Sequence, residues 1–314
     1  AEYFTNMVYL KSRSQEIEVP EATPFANDKL DRFGLCNILT DVVSFYGQSG
    51  CVMGLDGEWG SGKTTFVRMW RQHLENNGYK TLYFNAWASD YTEDPLMALV
   101  SELSGLSPED DMVNKIATGA ARIGLSVFKG VLKKAIGVDC DAIHNAIDET
   151  FVLGKEYLEK YSEQKTTLDE LKKNIQSFVA DNAGEYPVIF FVDELDRCNP
   201  RYAVAVLERI KHLFEIPNII FVLAINKKEL SNAIQGYYGS SKIDSNEYLR
   251  RFIDIDYVLP KPKIGAYCNF LFGEYRFEDF FRSEQRLTYF RSNNEDDAFK
   301  TLALSMCEEM NVNL

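Results

Sequence analysis

Gly57-Glu58-Trp59-Gly60-Ser61-Gly62-Lys63-Thr64 is the most informative stretch of this sequence. It fits the phosphate-loop pattern G-x-x-x-x-G-K-[ST] at every fixed position. The apolar run 51–55 precedes it, and apolar residues at helical spacing follow from Phe66 to Leu74. A strand that delivers a glycine-rich loop to the start of a helix points backbone N–H groups and the positive end of the helix dipole at one anion. The stretch therefore predicts a site for the phosphates of a nucleoside triphosphate.

The residue types in the loop predict separate roles. Lys63 is expected to reach the β- and γ-phosphates, and the Thr64 hydroxyl to bind Mg²⁺. The alternative, a glycine-rich turn with an incidental lysine, does not account for the strand before the loop and the helix after it. We therefore expect the nucleotide to contact Gly57, Glu58, Trp59, Gly60, Ser61, Gly62, Lys63, Thr64 and Thr65.

Composition limits the classes of partner. The chain has 314 residues and a net charge of −13, so its surface as a whole repels nucleic acid and anionic lipid. Its six cysteines form no C-x-x-C pair and its three histidines lie far apart, which argues against a zinc site or a disulfide framework and predicts a reducing, cytoplasmic setting. No apolar stretch reaches the about 18 residues of a membrane span.

Apolar runs at 188–192, 219–224 and 253–259 alternate with helical patterns, which predicts an α/β fold with a parallel sheet covered on both faces. Between the loop and these runs the sequence is polar and helical in pattern. We predict an N-terminal arm at 1–30, a first half of the core at 31–105, a helical insertion at 106–185, a second half of the core at 186–262 and a helical C-terminal segment at 263–314.

The insertion contains three helical signals. Residues 139–164 form one, and the capping box at 167–170 is expected to open another helix, whose apolar face runs from Leu168 to Val179. The third, residues 116–136, is basic and amphipathic. Such a helix can lie in a membrane interface, but we favour packing on its own domain.

The C-terminal segment is rich in aromatic residues and arginines. Together these can stack on single-stranded nucleic acid. Its acidic residues oppose a phosphate backbone, and the overall charge does not indicate such a partner, so we favour a packed helical subdomain.

Candidate catalytic groups follow the apolar runs. Asp193 and Glu194 come directly after a predicted strand, where Asp193 can hold Mg²⁺ opposite Thr64 and Glu194 can activate water. Asn226 ends the next strand; it is either a sensor between the γ-phosphate and the water or a turn residue.

An arginine is expected to compensate the charge of the departing phosphate, in its own subunit or in a neighbour. Arg251, placed on a predicted helix, and Arg197 are the candidates. Either arginine could instead be structural, paired with Asp196 or Glu247.

These motifs resemble the KAP family of P-loop NTPases over about residues 20–262. Besides the loop, the resemblance is carried by Pro24 and Asp28-Lys29-Leu30, Phe84-Asn85-Ala86-Trp87, Asp193-Glu194-Leu195-Asp196-Arg197-Cys198, Asn218-Ile219-Ile220-Phe221-Val222-Leu223-Ala224 and Tyr248-Leu249-Arg250-Arg251-Phe252. The family often has Asp at the positions of Glu194 and Asn226.

The resemblance implies an additional-strand P-loop fold related to the AAA and signalling NTPases, with the helical insertion between the Walker A and Walker B motifs. It also implies ATP as the nucleotide, a homo-oligomer and an effector protein. Bacterial relatives include proteins that exclude or sense bacteriophages, commonly as parts of larger assemblies, so the resemblance suggests a role in defence.

The expected function is therefore a Mg²⁺-dependent ATPase that acts as motor or sensor of an assembly in antiviral defence. The alternative is a nucleotide-gated scaffold with negligible turnover that switches partner binding. A kinase is a third reading, although no acceptor-binding lid is evident.

Overall fold

The structure is a computed structural model. It describes residues 17–92, 94–121, 123, 147–213, 215–239 and 244–261, together with positions 265, 272, 300–302 and 305. Of residues 147–164 it describes the backbone alone.

Eight α-helices and five strands are the main elements of the described part of the chain. In chain order they are α1 (Phe33–Tyr46), β1 (Cys51–Asp56), α2 (Lys63–Asn76), β2 (Thr81–Asn85), α3 (Leu96–Ser104), α4 (111–121), α5 (Ile147–Ala183), β3 (Val188–Asp193), α6 (Pro200–Leu213), β4 (Ile219–Ile225), α7 (Lys227–Tyr238), α8 (Ser245–Leu249) and β5 (Ile255–Val258).

The strands form one parallel sheet in the order β2-β3-β4-β1-β5. Strand β4 lies between β1, which leads into the glycine-rich loop, and β3, which ends at Asp193. This extra strand confirms the predicted additional-strand architecture. In register, Asp56 pairs with Ile225 and Asp193 pairs with both Ala224 and Asn85. The carboxyl ends of the central strands therefore meet at one edge, where parallel sheets place their ligand sites.

The two faces of the sheet bury separate apolar clusters. On one face α1 and α2 cover the sheet, and Trp70 packs edge-on against Phe191 with ring centroids 5.4 Å apart. On the other face Phe190 stacks on Phe221 at 4.9 Å, beneath α3, α4, α5 and α6. Neighbouring residues of β3 thus point into opposite clusters, as strand geometry requires. Strands β3 and β4 are buried along their whole length, which explains their continuous apolar runs.

The predicted second helix start at 167–170 is wrong. Helix α5 runs without interruption from Ile147 to Ala183. Residues 147–166 contain no proline and many strong helix formers, so nothing in them ends the helix before the capping sequence is reached. The apolar face is nevertheless as predicted: Leu171, Ile175, Phe178 and Val179 are buried in the core.

Two other boundaries differ from expectation. Apolar residues at helical spacing predict a helix from Leu30 to Tyr46. The helix instead begins at Phe33, because the Asp28 carboxylate accepts the N–H groups of Leu30 and Arg32 and forms a turn there. The last strand is limited to Ile255–Val258.

Several predictions fall wholly or partly outside the described residues. In the basic segment 116–136, the described residues Ile116, Ala120 and Ile123 are buried in the core of the chain itself. This burial favours packing on the segment's own domain over a place in a membrane interface. Residues 139–146 of the helix predicted at 139–164, and nearly all of the C-terminal segment, lie outside the described residues. Among the described residues, no helix combines the length and apolar character that a bilayer crossing requires.

Candidate functional site

The glycine-rich loop connects the end of β1 to the start of α2. Gly60 and Gly62 both have φ of +79°, a left-handed conformation that residues with a Cβ adopt at a cost. At Gly57 an added Cβ would lie 2.8 Å from Ser61 Oγ and 3.2 Å from Lys63 Cγ. The fixed glycines of the motif are therefore required by backbone conformation and by close packing inside the loop.

Two buried polar groups in the loop fit an anionic ligand. The Ser61 Oγ atom is buried and has no hydrogen-bond partner within the described part of the chain. Lys63 is also buried, and its ammonium group donates to the carbonyl oxygens of Gly57 and of Glu58, the latter at 3.1 Å. Burial lowers the pKa of Lys63, while the negative charges of Asp196, Asp193 and Asp56 oppose that shift. An orphaned hydroxyl beside a buried ammonium is what a phosphate-binding loop would present.

Asp193 lies at the carboxyl end of β3 and is 1% exposed. Its carboxylate accepts hydrogen bonds from Tyr83 Oη at 3.1 Å and from the Glu194 N–H at 2.8 Å. Burial raises the pKa of Asp193, and these hydrogen bonds, together with the nearby Thr64 hydroxyl, oppose the rise by stabilising the charged form. The structure thus brings Thr64 and Asp193 close together although 129 positions separate them in sequence (193 − 64).

A hydroxyl and a carboxylate are ligands that Mg²⁺ accepts. In the described ranges no group of three or more His, Cys, Asp and Glu side chains is arranged to hold a metal ion. The pair Thr64 and Asp193 therefore fits a Mg²⁺ that takes its other ligands from phosphate oxygens and water.

Glu194 adopts φ of +60°, which is uncommon for a residue other than glycine. Its carboxylate is held from two sides, by Asn85 Nδ2 at 3.2 Å and by Arg197 Nη1 at 3.0 Å. The Arg197 guanidinium also lies over the exposed ring of Trp87, with 5.5 Å between the Cζ atom and the ring centroid. Glu194 is thus next to Asp193 but engaged with two neighbouring side chains.

The loop and the end of β3 together enclose a cleft of about 160 Å³. At the exposed rim of the cleft, Trp59 Nε1 donates a hydrogen bond to Asp196 Oδ2 at 2.5 Å. The cleft brings most of the predicted nucleotide, metal and catalytic residues together with Asp196 and Arg197: its lining is Glu58, Trp59, Gly60, Gly62, Lys63, Thr64, Thr65, Asp193, Glu194, Asp196 and Arg197.

Of the predicted site residues, Gly57, Ser61, Asn226 and Arg251 are not part of this lining. The Oδ1 atom of Asn226 accepts the Glu229 N–H at 3.3 Å, so this residue caps the start of α7. Arg251 is exposed in the turn after α8, which ends at Leu249; its predicted place on a helix is wrong because the helix is only one short turn.

The ion pairs differ in detail from those considered from the sequence. Arg197 pairs with Glu194 rather than with Asp196. Glu247 does pair with an arginine, but with Arg250, at 2.7 Å.

Sequence reasoning assigned no role to Tyr83, Asn85 or Arg32. Tyr83 and Asn85 lie two residues apart on β2, so they point to the same face beside β3. What identifies these two residues is that β2 lies next to β3 in the sheet, and the strand order is known only from the structure. Arg32 had no signal in the sequence, because its partners in the loop lie 29 and 30 positions away.

Among curated proteins, the phage T7 exclusion protein of Escherichia coli K12 is 19% identical over 255 residues, which cover 74% of this chain and 34% of that protein. The chain thus spans about a third of the length of that relative.

Solved structures include Aeropyrum pernix ORC2 with ADPNP and ADP (17% identity, TM-score 0.38, 79% of this chain and 52% of that one). Another is Caenorhabditis elegans PCH-2 (13% identity, TM-score 0.32, 77% of this chain and 47% of that one). The model of the KAP family P-loop domain matches residues 35–295, which is most of the sequence. The chain therefore belongs to the KAP family of P-loop NTPases.

Proposed function

We propose that this chain is a Mg²⁺-dependent ATPase that acts as the motor or sensor subunit of a multi-protein assembly in bacterial antiviral defence. The observation that carries the proposal is that Thr64 and the buried Asp193 line one cleft together with Lys63 and Glu194. These are the groups that a phosphoryl transfer to water needs around the γ-phosphate.

In this proposal the loop amides, Ser61 Oγ and the Lys63 ammonium bind the phosphates. Thr64 and Asp193 would hold Mg²⁺, which when bound neutralises charge on the phosphate oxygens. Glu194 orients the attacking water and takes its proton, for which its carboxylate must turn away from Arg197. The Asn226 amide nitrogen serves as the sensor group, because its Oδ1 atom is already used to cap α7.

Family membership and the name of one relative support the role in defence. The relative is named for the exclusion of phage T7, and this chain matches only 34% of it. ATP is proposed as the nucleotide because the family resemblance implies adenine. A homo-oligomer and an effector protein are the proposed partners, and the cytoplasm the proposed compartment. The net charge of −13 gives no support to nucleic acid as a partner.

Arg197 and Arg251 are proposed to compensate phosphate charge in different ways. Arg197 lines the cleft of its own subunit, so it acts in cis. Arg251 is exposed outside that lining, so it acts in trans, in the cleft of a neighbouring copy.

One observation favours the second candidate, a nucleotide-gated scaffold with negligible turnover. The Glu194 carboxylate is bound by both Asn85 and Arg197, and a base held in this way cannot orient water. In that case ATP binding, rather than hydrolysis, changes the affinity for the effector.

The substitution Glu194→Gln separates the two candidates. We expect it to slow phosphate release from ATP at least about 100-fold, because it removes the general base, while ATP still binds. Phosphate release and equilibrium ATP binding are measured for the parent, for Glu194→Gln and for a control with the same chemical change at an exposed position of α5, Glu170→Gln. ATP binding without phosphate release by the parent would support the scaffold. A parental rate in Glu194→Gln would exclude Glu194 as the base.

The substitution Tyr83→Phe tests the support of Asp193. Loss of one hydrogen bond to the carboxylate is expected to raise the Mg²⁺ concentration needed for half-maximal phosphate release by about tenfold. Binding of ATP without metal should not change. Tyr79→Phe is the control, because it removes a tyrosine hydroxyl that bonds Ser44 outside the cleft. An unchanged Mg²⁺ requirement in Tyr83→Phe would contradict this role.

A dependence of activity on protein concentration tests Arg251. If this arginine completes the cleft of a neighbour, the specific activity of the parent rises as the protein associates, and Arg251→Met removes the rise without weakening ATP binding. The matched control is Arg250→Met, which loses the exposed pair with Glu247. A parental concentration dependence in Arg251→Met would show that the group in trans is another residue.

A further inference from the structure

Arg32 carries a buried positive charge that none of the roles above uses. It lies just before α1 and is 6% exposed. Burial of a charge is costly unless hydrogen bonds satisfy it. Its guanidinium finds three backbone carbonyls: Nη2 donates to Ser61 O at 2.7 Å and to Pro260 O at 3.3 Å, and Nη1 donates to Gly62 O at 3.3 Å. Two of these acceptors belong to the phosphate loop.

The turn before α1 fixes where this side chain begins. The Asp28 carboxylate accepts the Leu30 N–H at 2.9 Å and the Arg32 N–H at 2.5 Å. Burial lowers the pKa of the Arg32 guanidinium, and the charge of Asp28 opposes that shift. A Cβ added to Gly62 would lie 3.2 Å from Arg32 Nη1 and 3.3 Å from Leu30 Cδ1. The loop therefore packs closely on this turn, and Gly62 leaves the room that Arg32 occupies.

Peptide planarity gives these contacts a consequence for ligand binding. In a planar trans peptide, the carbonyl of one residue and the N–H of the next point in opposite directions. The carbonyls of Ser61 and Gly62 point to Arg32, so the N–H groups of Gly62 and Lys63 point away from it. Gly62 and Lys63 line the cleft, whereas Arg32 does not. The helical bond from Phe66 N to Gly62 O already orients one of these peptides, so Arg32 adds a constraint on the peptide before it.

We propose that Arg32 is a positioning residue that holds the loop amides in the orientation that binds the phosphates of a nucleoside di- or triphosphate. The proposal rests on the nucleotide site proposed above. The same guanidinium links the loop to the chain before α1, where Arg32 itself lies, and through Pro260 O to the chain after β5. Nucleotide binding therefore tightens both segments through Arg32.

The test compares Arg32→Met, which removes the charge and all donors, with Arg32→Lys, which keeps the charge but loses the planar set of donors. The control is Arg201→Met at an exposed position of α6. Affinity for Mg²⁺-ADP is measured by calorimetry, and thermal unfolding is measured without ligand. We expect Arg32→Met to bind ADP at least about tenfold more weakly than the parent, Arg32→Lys to be intermediate and Arg201→Met to match the parent.

Amide hydrogen exchange distinguishes a positioning role from a purely structural one, because only a positioning role makes the protection by ADP depend on Arg32. In the parent, ADP is expected to slow amide exchange at residues 28–32 and 259–261, and in Arg32→Lys this protection should be reduced while the protection of the loop remains measurable. If Arg32→Met does not fold, Arg32→Lys decides alone. Parental ADP affinity and parental protection in the folded variants would overturn the proposal.

The experiments distinguish failure of the ATPase proposal from failure of the positioning role proposed for Arg32. A parent that binds ADP but releases no phosphate from ATP overturns the ATPase, and the Arg32 measurements still decide the positioning role. For an active parent we expect Arg32→Lys to raise KM with little change in kcat, because the loop holds ground state and transition state alike. A fall in kcat alone would contradict that expectation.

Discussion

The two halves of the core meet where Thr64 and Asp193 line one cleft. Thr64 lies in the first turn of α2, and Asp193 is the last residue of β3. Strand β4 lies between β1 and β3, and the carboxyl ends of these parallel strands bring the loop and the carboxylate to one edge of the sheet. The apolar clusters on the two faces of the sheet hold the strands and helices that carry both residues, so the geometry of the site depends on the core beneath it.

Three charged residues in or beside the site are buried: Lys63, Asp193 and Arg32. Each would be unfavourable without partners. The structure gives each one several hydrogen bonds, and for Lys63 and Arg32 the acceptors are backbone carbonyls of the loop region. Backbone partners allow charged groups to be held in place without cancelling their charge by an ion pair. The Lys63 ammonium thus remains available to an anionic ligand in the cleft, which favours a binding role for it over a purely structural one.

Much of the fold could be predicted because its signals are local. The loop motif fixed the strand β1 and the helix α2, and the apolar runs before Asp193 and Asn226 identified two central strands. The false helix start at 167–170 shows the limit of such signals, since a capping sequence acts only where the preceding chain is not helical.

The site was predicted less completely. Motif positions named Lys63, Thr64, Asp193 and Glu194, and these do meet in the cleft. Contacts made across the sheet or between distant turns leave no spacing pattern in one sequence. Tyr83 and Asn85 act through strand adjacency, and Arg32 acts through close packing on Gly62. Arg251 was a candidate by type alone, and a single chain does not contain the neighbour that it would serve.

The most direct test of this account is a crystal structure of the chain with Mg²⁺ and a non-hydrolysable ATP analogue. We expect the phosphates to contact the loop amides and Lys63, the metal to lie between Thr64 and Asp193, and the Arg32 contacts with the loop to be retained. A nucleotide bound away from this cleft, or a metal that contacts neither Thr64 nor Asp193 directly or through water, would contradict the account.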